Sequence, residues 1–303
     1  VSHARELLLL LLLSLALIFA IVWWRKLRSQ HQPGAAFWPS AVETGIGFVT
    51  DFLDTLGVGS FAVTTSLYRW RSRVADRAIP GTLNVGHALP TALQALIYIA
   101  IIEVDVGTLL AMIGAAVLGA HLGAAYVSRL PERKLRLGMA LALLMAAGLI
   151  VARLWGVLPK GSDRSALSGL RLALGVLGNF GLGALMTFGI GLYAPCMVLV
   201  SLLGMNPQAA FPIMMGSCAF LMPVAALRFV RAQSYAPRAA LGLTLGGLPA
   251  VWIAAKFVKE LPLDALRWLV VLVVVYNAAA LLRAALREPA PVATTSAKPT
   301  SRA

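Results

Sequence analysis

From Leu172 to Leu227 the chain carries no charged side chain; the helix-disrupting Gly204-Met205-Asn206-Pro207 breaks the run into two. A stretch that long and that apolar has no aqueous face to offer, so it fits neither a surface helix nor a half-buried strand. The rest of the 303 residues follow suit: 59% are hydrophobic and 13% charged, where an ordinary soluble domain has about 25% charged. The expected fold class is an all-α polytopic membrane protein, because a helix satisfies its own backbone hydrogen bonds in lipid.

Charge then orients the chain. The net charge of +14 is gathered in short clusters between apolar runs, at Arg25-Lys26-Arg28, Arg69 to Arg77, Arg129 to Arg136 and Arg228 to Arg238. This is the pattern of cytoplasmic loops, not of a nucleic-acid surface. The run Leu7–Trp24, followed at once by Arg25, predicts an uncleaved leading helix over residues 1–28 with its N-terminus outside. Residues 287–303, rich in Pro, Ala, Thr and Ser, read as a disordered cytoplasmic tail.

An internal duplication organises what lies between. Thr55-Leu-Gly-Val-Gly59 returns as Thr187-Phe-Gly-Ile-Gly191, Pro80 as Pro212, and Leu130-Pro-Glu-Arg-Lys-Leu-Arg136 as Leu261-Pro-Leu-Asp-Ala-Leu-Arg267, in order and at nearly constant offset. The repeats span 42–155 and 170–286. Each has four apolar segments, about 42–68, 81–102, 107–129 and 137–155 in the first, and 172–201, 210–228, 239–258 and 267–285 in the second. If the first segment of each repeat crosses the membrane, the 26 Lys and Arg divide 14 inside and 12 outside; if both turn back, 18 lie inside and 8 outside. The second arrangement obeys the positive-inside rule. It gives seven spans and two re-entrant hairpins, with three spans per repeat and hence two inverted repeats.

The hairpin tips are the candidate site. An arm reaching mid-bilayer needs about 10 residues at 1.5 Å each, and Val42–Thr55 and Ser60–Tyr68 suffice. Gly57 and Gly59 permit the reversal, as Gly189 and Gly191 would in the second repeat. The second arm of each hairpin then aims its N-terminal amides at the membrane centre, where two such ends can hold an anion. Thr55, Thr187 and Ser60 offer hydroxyls there, although a threonine in a broken helix also caps its own backbone. Asn84, His87, Thr91 and Gln94 form one helical stripe on the following span, and Ser217 and Cys218 lie on its repeat partner. Tyr193 and Cys196 sit in the second hairpin's outer arm. His121, among small residues, reads as a packing residue. Asp51 and Asp54 belong to one repeat only; intramembrane acids point to proton coupling or gating, with capping of the turn by Asp54 as the structural alternative. No metal or cofactor site and no catalytic set is apparent, so an enzyme is not expected. The Met- and Cys-rich second repeat leaves open a protein that binds or transports a soft metal such as Cu(I).

The stretches FLDTLGVGSFAVTTSLY, IPGTLNVGHALPTALQA, GALMTFGIGLYAPCMVLVSLLGMNPQAAFPIMMGSCAFLMPVAA and LPLDALRWLV resemble the TauE/SafE sulfite exporter family, also called the toluene sulfonate uptake permeases. The resemblance covers about residues 42–286. It implies a duplicated polytopic transporter in the bacterial cytoplasmic membrane, moving sulfite, a sulfonate or a related sulfur-containing anion. With the tips read above, the expectation is a secondary transporter or facilitator that binds this anion between them.

Overall fold

The computed structural model describes residues 2–30, 36–57, 59–70, 74–75, 78–127, 164–186, 192–258 and 263–287, with isolated positions between 137 and 155. The expected tail, most of the fourth segment of the first repeat, and Thr187, Gly189 and Gly191 lie outside them. Among the described residues every regular element is helical: α1 Ser2–Ser29, α2 Ala41–Thr55, α3 Ser60–Trp70, α4 Ile79–Gly86, α5 Ala88–Ile101, α6 Val106–Val127, α7 Gly169–Met186, α8 Tyr193–Leu202, α9 Ala210–Arg231, α10 Pro237–Val258 and α11 Leu263–Arg287. By length and composition α1, α7, α9 and α10 can each cross a membrane, and the bent pair α4–α5 makes a fifth. The chain is a multi-pass membrane protein whose exterior is apolar. On α1, Leu8, Leu12, Ala16, Phe19, Trp23 and Leu27 are buried at spacings of three and four, while Leu7, Leu10, Leu11, Leu17, Ile18 and Ile21 face outward.

Local chemistry sets the helix ends. Ser40 accepts from the Glu43 amide while the Glu43 carboxylate accepts from the Ser40 amide, at 3.3 and 2.6 Å, a capping box that starts α2. Ser40→Ala is expected to cost about 1 kcal/mol, read as a lower unfolding midpoint in detergent, with Ser40→Asp close to the parent. Between α2 and α3 the chain reverses through Gly57 and Gly59, at φ 97° and 86°, where a side chain would be strained.

The segment expected as one straight span is bent by 41° between α4 and α5. Pro90 is the cause: it has no N–H for the Gly86 carbonyl, and its ring crowds that position. The Thr244 hydroxyl of α10 donates to the Gly86 carbonyl instead, at 2.7 Å. The break leaves His87 at the corner.

Helix pairing is reciprocal between the halves. The most extensive contacts are α2 against α10 and α6 against α7, and α5 packs on α9. In repeat order, the first arm of each hairpin lies on the third segment of the other half. Glycines allow the approach. A Cβ on Gly47 would stand 2.6 Å from the Leu243 Cα, and one on Gly246 would strike the Thr44 carbonyl; equally, Gly183 abuts Ala116 and Gly119 abuts Phe180.

Hydrogen bonds gather the connecting segments at two opposite ends. At one, Arg238 meets Glu43 at 3.3 Å and donates to the Trp38 carbonyl, the Tyr68 hydroxyl donates to the Ala239 carbonyl, and the Ala236 amide donates to Thr82. At the other, Arg5 donates to the Ile99 carbonyl, the Asp105 amide to the Ser165 carbonyl, the Leu167 amide to Thr108, and the Asn206 amide to the Arg164 carbonyl. The start of α2 and the end of α3 therefore share the first end. The start of α7 and the loop after α8 share the second.

Candidate functional site

A set of polar side chains is buried among the helices while many large apolar ones face outward. Thr50, Asp51, Asp54, Thr55, Ser60, Thr64, His87, Thr91, Gln94, Asn179 and Ser217 are all buried. Those near the α2–α3 turn form two connected sets, one around each aspartate.

Asp54 is the hub of the first. Its Oδ1 accepts from the Ser60 amide at 2.7 Å and its Oδ2 from Gln94 Nε2 at 3.1 Å. The same Gln94 nitrogen donates to Thr55 Oγ1 at 2.9 Å, Thr55 donates to the Asp51 carbonyl, and the Tyr98 hydroxyl donates to the Thr55 carbonyl at 2.6 Å. The first amide of α3, expected free to receive an anion, is thus occupied by the protein's own carboxylate. Asp54 caps α3 across the glycine turn. Thr55 is committed to its own helix and to Gln94.

Asp51 anchors the second set. His87 Nδ1 lies 2.8 Å from Asp51 Oδ1, and His87 Nε2 lies 3.1 Å from the Thr64 hydroxyl, which donates to the Ser60 carbonyl. With the Thr64 proton so placed, Nε2 donates to Thr64, and Nδ1 and Asp51 Oδ1 share one proton between them. Asp51 sits against Gly247, where any Cβ would collide with its Oδ2. The matching contact in the other half is Gly183 on Ala116, with no room for an acid.

A narrow cavity of about 30 Å³, room for a water or two, lies beside the α2–α3 turn. The first hairpin contributes Asp54, Gly59, Ser60 and Phe61, and Met186 and Leu192 flank the second tip. Thr91, Met214, Met215, Cys218 and Met222 complete the wall. Met186 Sδ and Cys218 Sγ are 3.7 Å apart. The Phe61 ring lines the cavity and lies 6.0 Å from that of His87, which does not line it.

Of the residues singled out by sequence, Asp54, Gly59, Ser60, Thr91 and Cys218 line this cavity, and Asp51, Thr55, Gly57, His87 and Gln94 do not. Ser217 donates to the Ile213 carbonyl and accepts from Asn179. Cys196 is buried away from the cavity, and of Tyr193 only the backbone, opening α8, is described. Asn84 donates to the Pro80 carbonyl and faces a second, larger cavity. His121 is exposed to that cavity and not packed. Phe61 was not anticipated as lining, and the methionines only within the soft-metal alternative, since an apolar residue on an apolar helix carries no signal of the face it occupies. Among the described residues no group of three or more His, Cys, Asp or Glu is arranged to hold a metal.

The family model described as sulfite exporter TauE/SafE matches residues 1–150, which include α1 to α6 and the whole first hairpin. No curated protein and no solved structure matches the chain.

Proposed function

We propose, on the match of residues 1–150 to the sulfite exporter TauE/SafE family model, that the chain belongs to that family and is a secondary transporter of a small sulfur oxyanion, bound between two re-entrant tips and coupled to a proton on Asp54. The two-repeat, inverted reading is supported by the reciprocal helix pairing and by the return of each hairpin to the end from which it starts. The end with Arg228, Arg231 and Arg238 is then cytoplasmic.

The observation that carries the mechanism is the Ser60 amide held by Asp54 at 2.7 Å. The helix end that would receive an oxyanion already holds an anion. A proton on Asp54 removes its charge and weakens a charge-assisted hydrogen bond, freeing the α3 amide for substrate while abolishing the repulsion. Anion and proton therefore load together. The thioether walls supply a polarisable lining without fixed charge.

The test is flux through purified protein in liposomes. One of sulfite, thiosulfate and a small sulfonate is expected to move saturably, faster when the proton gradient runs in the same direction. No flux above that of empty liposomes for any of the three overturns the sulfur-anion reading. Cu(I) serves as the control, since sulfur atoms suit it; copper movement without anion flux would put the metal alternative in its place.

A further inference from the structure

The second cavity, about 470 Å³, lies between α6 and α9 and extends to the turn that follows α9. Its polar lining is Asn84, His121, Arg228 and Ser234, with no carboxylate among its described residues. The narrow cavity has the opposite character, with Asp54 as its charged group. Only Met186 and Met222, among the described residues, line both. These two side chains stand between a roomy space with a cation and the tight space beside the α2–α3 turn.

Each part has a physical consequence. A guanidinium at the mouth of a low-dielectric cleft concentrates small anions, and its planar fork suits an oxyanion. Methionine is unbranched, with three rotatable bonds, so two thioethers can swing aside without moving a backbone, on the timescale of side-chain rotamer changes. Met222 lies on α9 one turn beyond Cys218, and the contact of Met186 with Cys218 closes the wall from the facing helix.

We propose that the larger cavity is the vestibule through which a small oxyanion reaches the tips from the cytoplasmic side, that Arg228 recruits it, and that Met186 and Met222 form the gate. The identity of the anion rests on the transport reading above; the vestibule and gate do not.

The test uses thiol accessibility in the full chain, reconstituted in zwitterionic lipid, in a Cys196→Ser background. Native Cys218 reports the space behind the gate and Ser234→Cys the vestibule. The probes are 2-sulfonatoethyl methanethiosulfonate, itself a small organosulfonate, and its trimethylammonium counterpart. The vestibule thiol is expected to react quickly and Cys218 slowly. Met186→Ala or Met222→Ala is expected to speed modification of Cys218 by at least about tenfold, as the lost packing favours the open state, whereas Met222→Leu, which keeps the volume, leaves it slow. Arg228→Gln is expected to slow the anionic reagent in the vestibule and not the cationic one. Unchanged Cys218 rates in both alanine variants, with the vestibule thiol still reactive as evidence of fold, overturn the gate. Equal slowing of both reagents by Arg228→Gln overturns the recruiting role. Labelling gated by Met222 in a protein that moves none of the three anions upholds the gate and overturns the sulfur-anion reading instead.

Discussion

Replacing Asp54 with asparagine is expected to leave a folded protein whose anion flux no longer responds to pH. In the parent, a proton on Asp54 frees the Ser60 amide, so flux rises as pH falls, by up to about tenfold per pH unit while the carboxylate is the dominant form. An asparagine carbonyl can accept from Ser60 in the same place, which preserves the cap. Its amide nitrogen then faces Gln94, whose Oε1 has no hydrogen-bond partner and can be turned toward it by rotation of the side-chain amide. Geometry survives while the titratable group is lost. Asp51→Asn is the informative contrast, because Asp51 is paired with His87 and does not line the cavity. It is expected to lower flux with the pH response intact. Flux assayed across the acid-to-neutral range decides the matter: a pH response that survives in Asp54→Asn and vanishes in Asp51→Asn moves the proton to the other aspartate.

The second large effect is structural. Gly246→Ala is expected to cost about 3 kcal/mol or more, at the upper end of overpacking effects, because its Cβ would strike the Thr44 carbonyl and stand 2.6 Å from the Phe48 amide nitrogen. Backbone on a packed helix cannot step aside as a side chain can. Gly183→Ala, driven into the Ala116 carbonyl in the reciprocal pair, is expected to behave alike. Gly45, with nothing within 4 Å of a built Cβ, is the control; alanine there is expected to stabilise α2 by up to about 1 kcal/mol through helix propensity. Thermal unfolding in detergent ranks the three. A Gly246→Ala protein melting with the parent would show that α2 and α10 are less closely held than described.

Much of this molecule is local, and what is local was legible. Apolar runs of membrane length announced the class, since lipid admits little else. The arms read as Val42–Thr55 and Ser60–Tyr68 are observed as Ala41–Thr55 and Ser60–Trp70, because Ser40 and Glu43 start the first and the glycines at 57 and 59 end it, all within a few residues of the ends they set. The bend at His87 has its signal in Pro90, but spacing alone puts Asn84, His87, Thr91 and Gln94 on one stripe of a single helix, whereas the bent pair leaves Asn84 on the larger cavity and Thr91 on the narrow one.

Tertiary packing decided the rest. Asp51 and Asp54 are three residues apart on one helix stripe, and nothing in their spacing says that one faces the cavity and the other an imidazole. That choice was made by His87 and Gln94, which reach α2 from the bent α4–α5 pair, and by Gly247 of α10, which leaves space for a carboxylate where Ala116 leaves none. Likewise α1 is apolar all round, so only its neighbours α5 and α9 select the buried stripe. Periodicity records which residues share a face of one helix. Which face becomes the wall of a cavity depends on residues far away in the chain, because in a membrane both the interior and the surroundings accept apolar side chains and hydrophobicity no longer separates them.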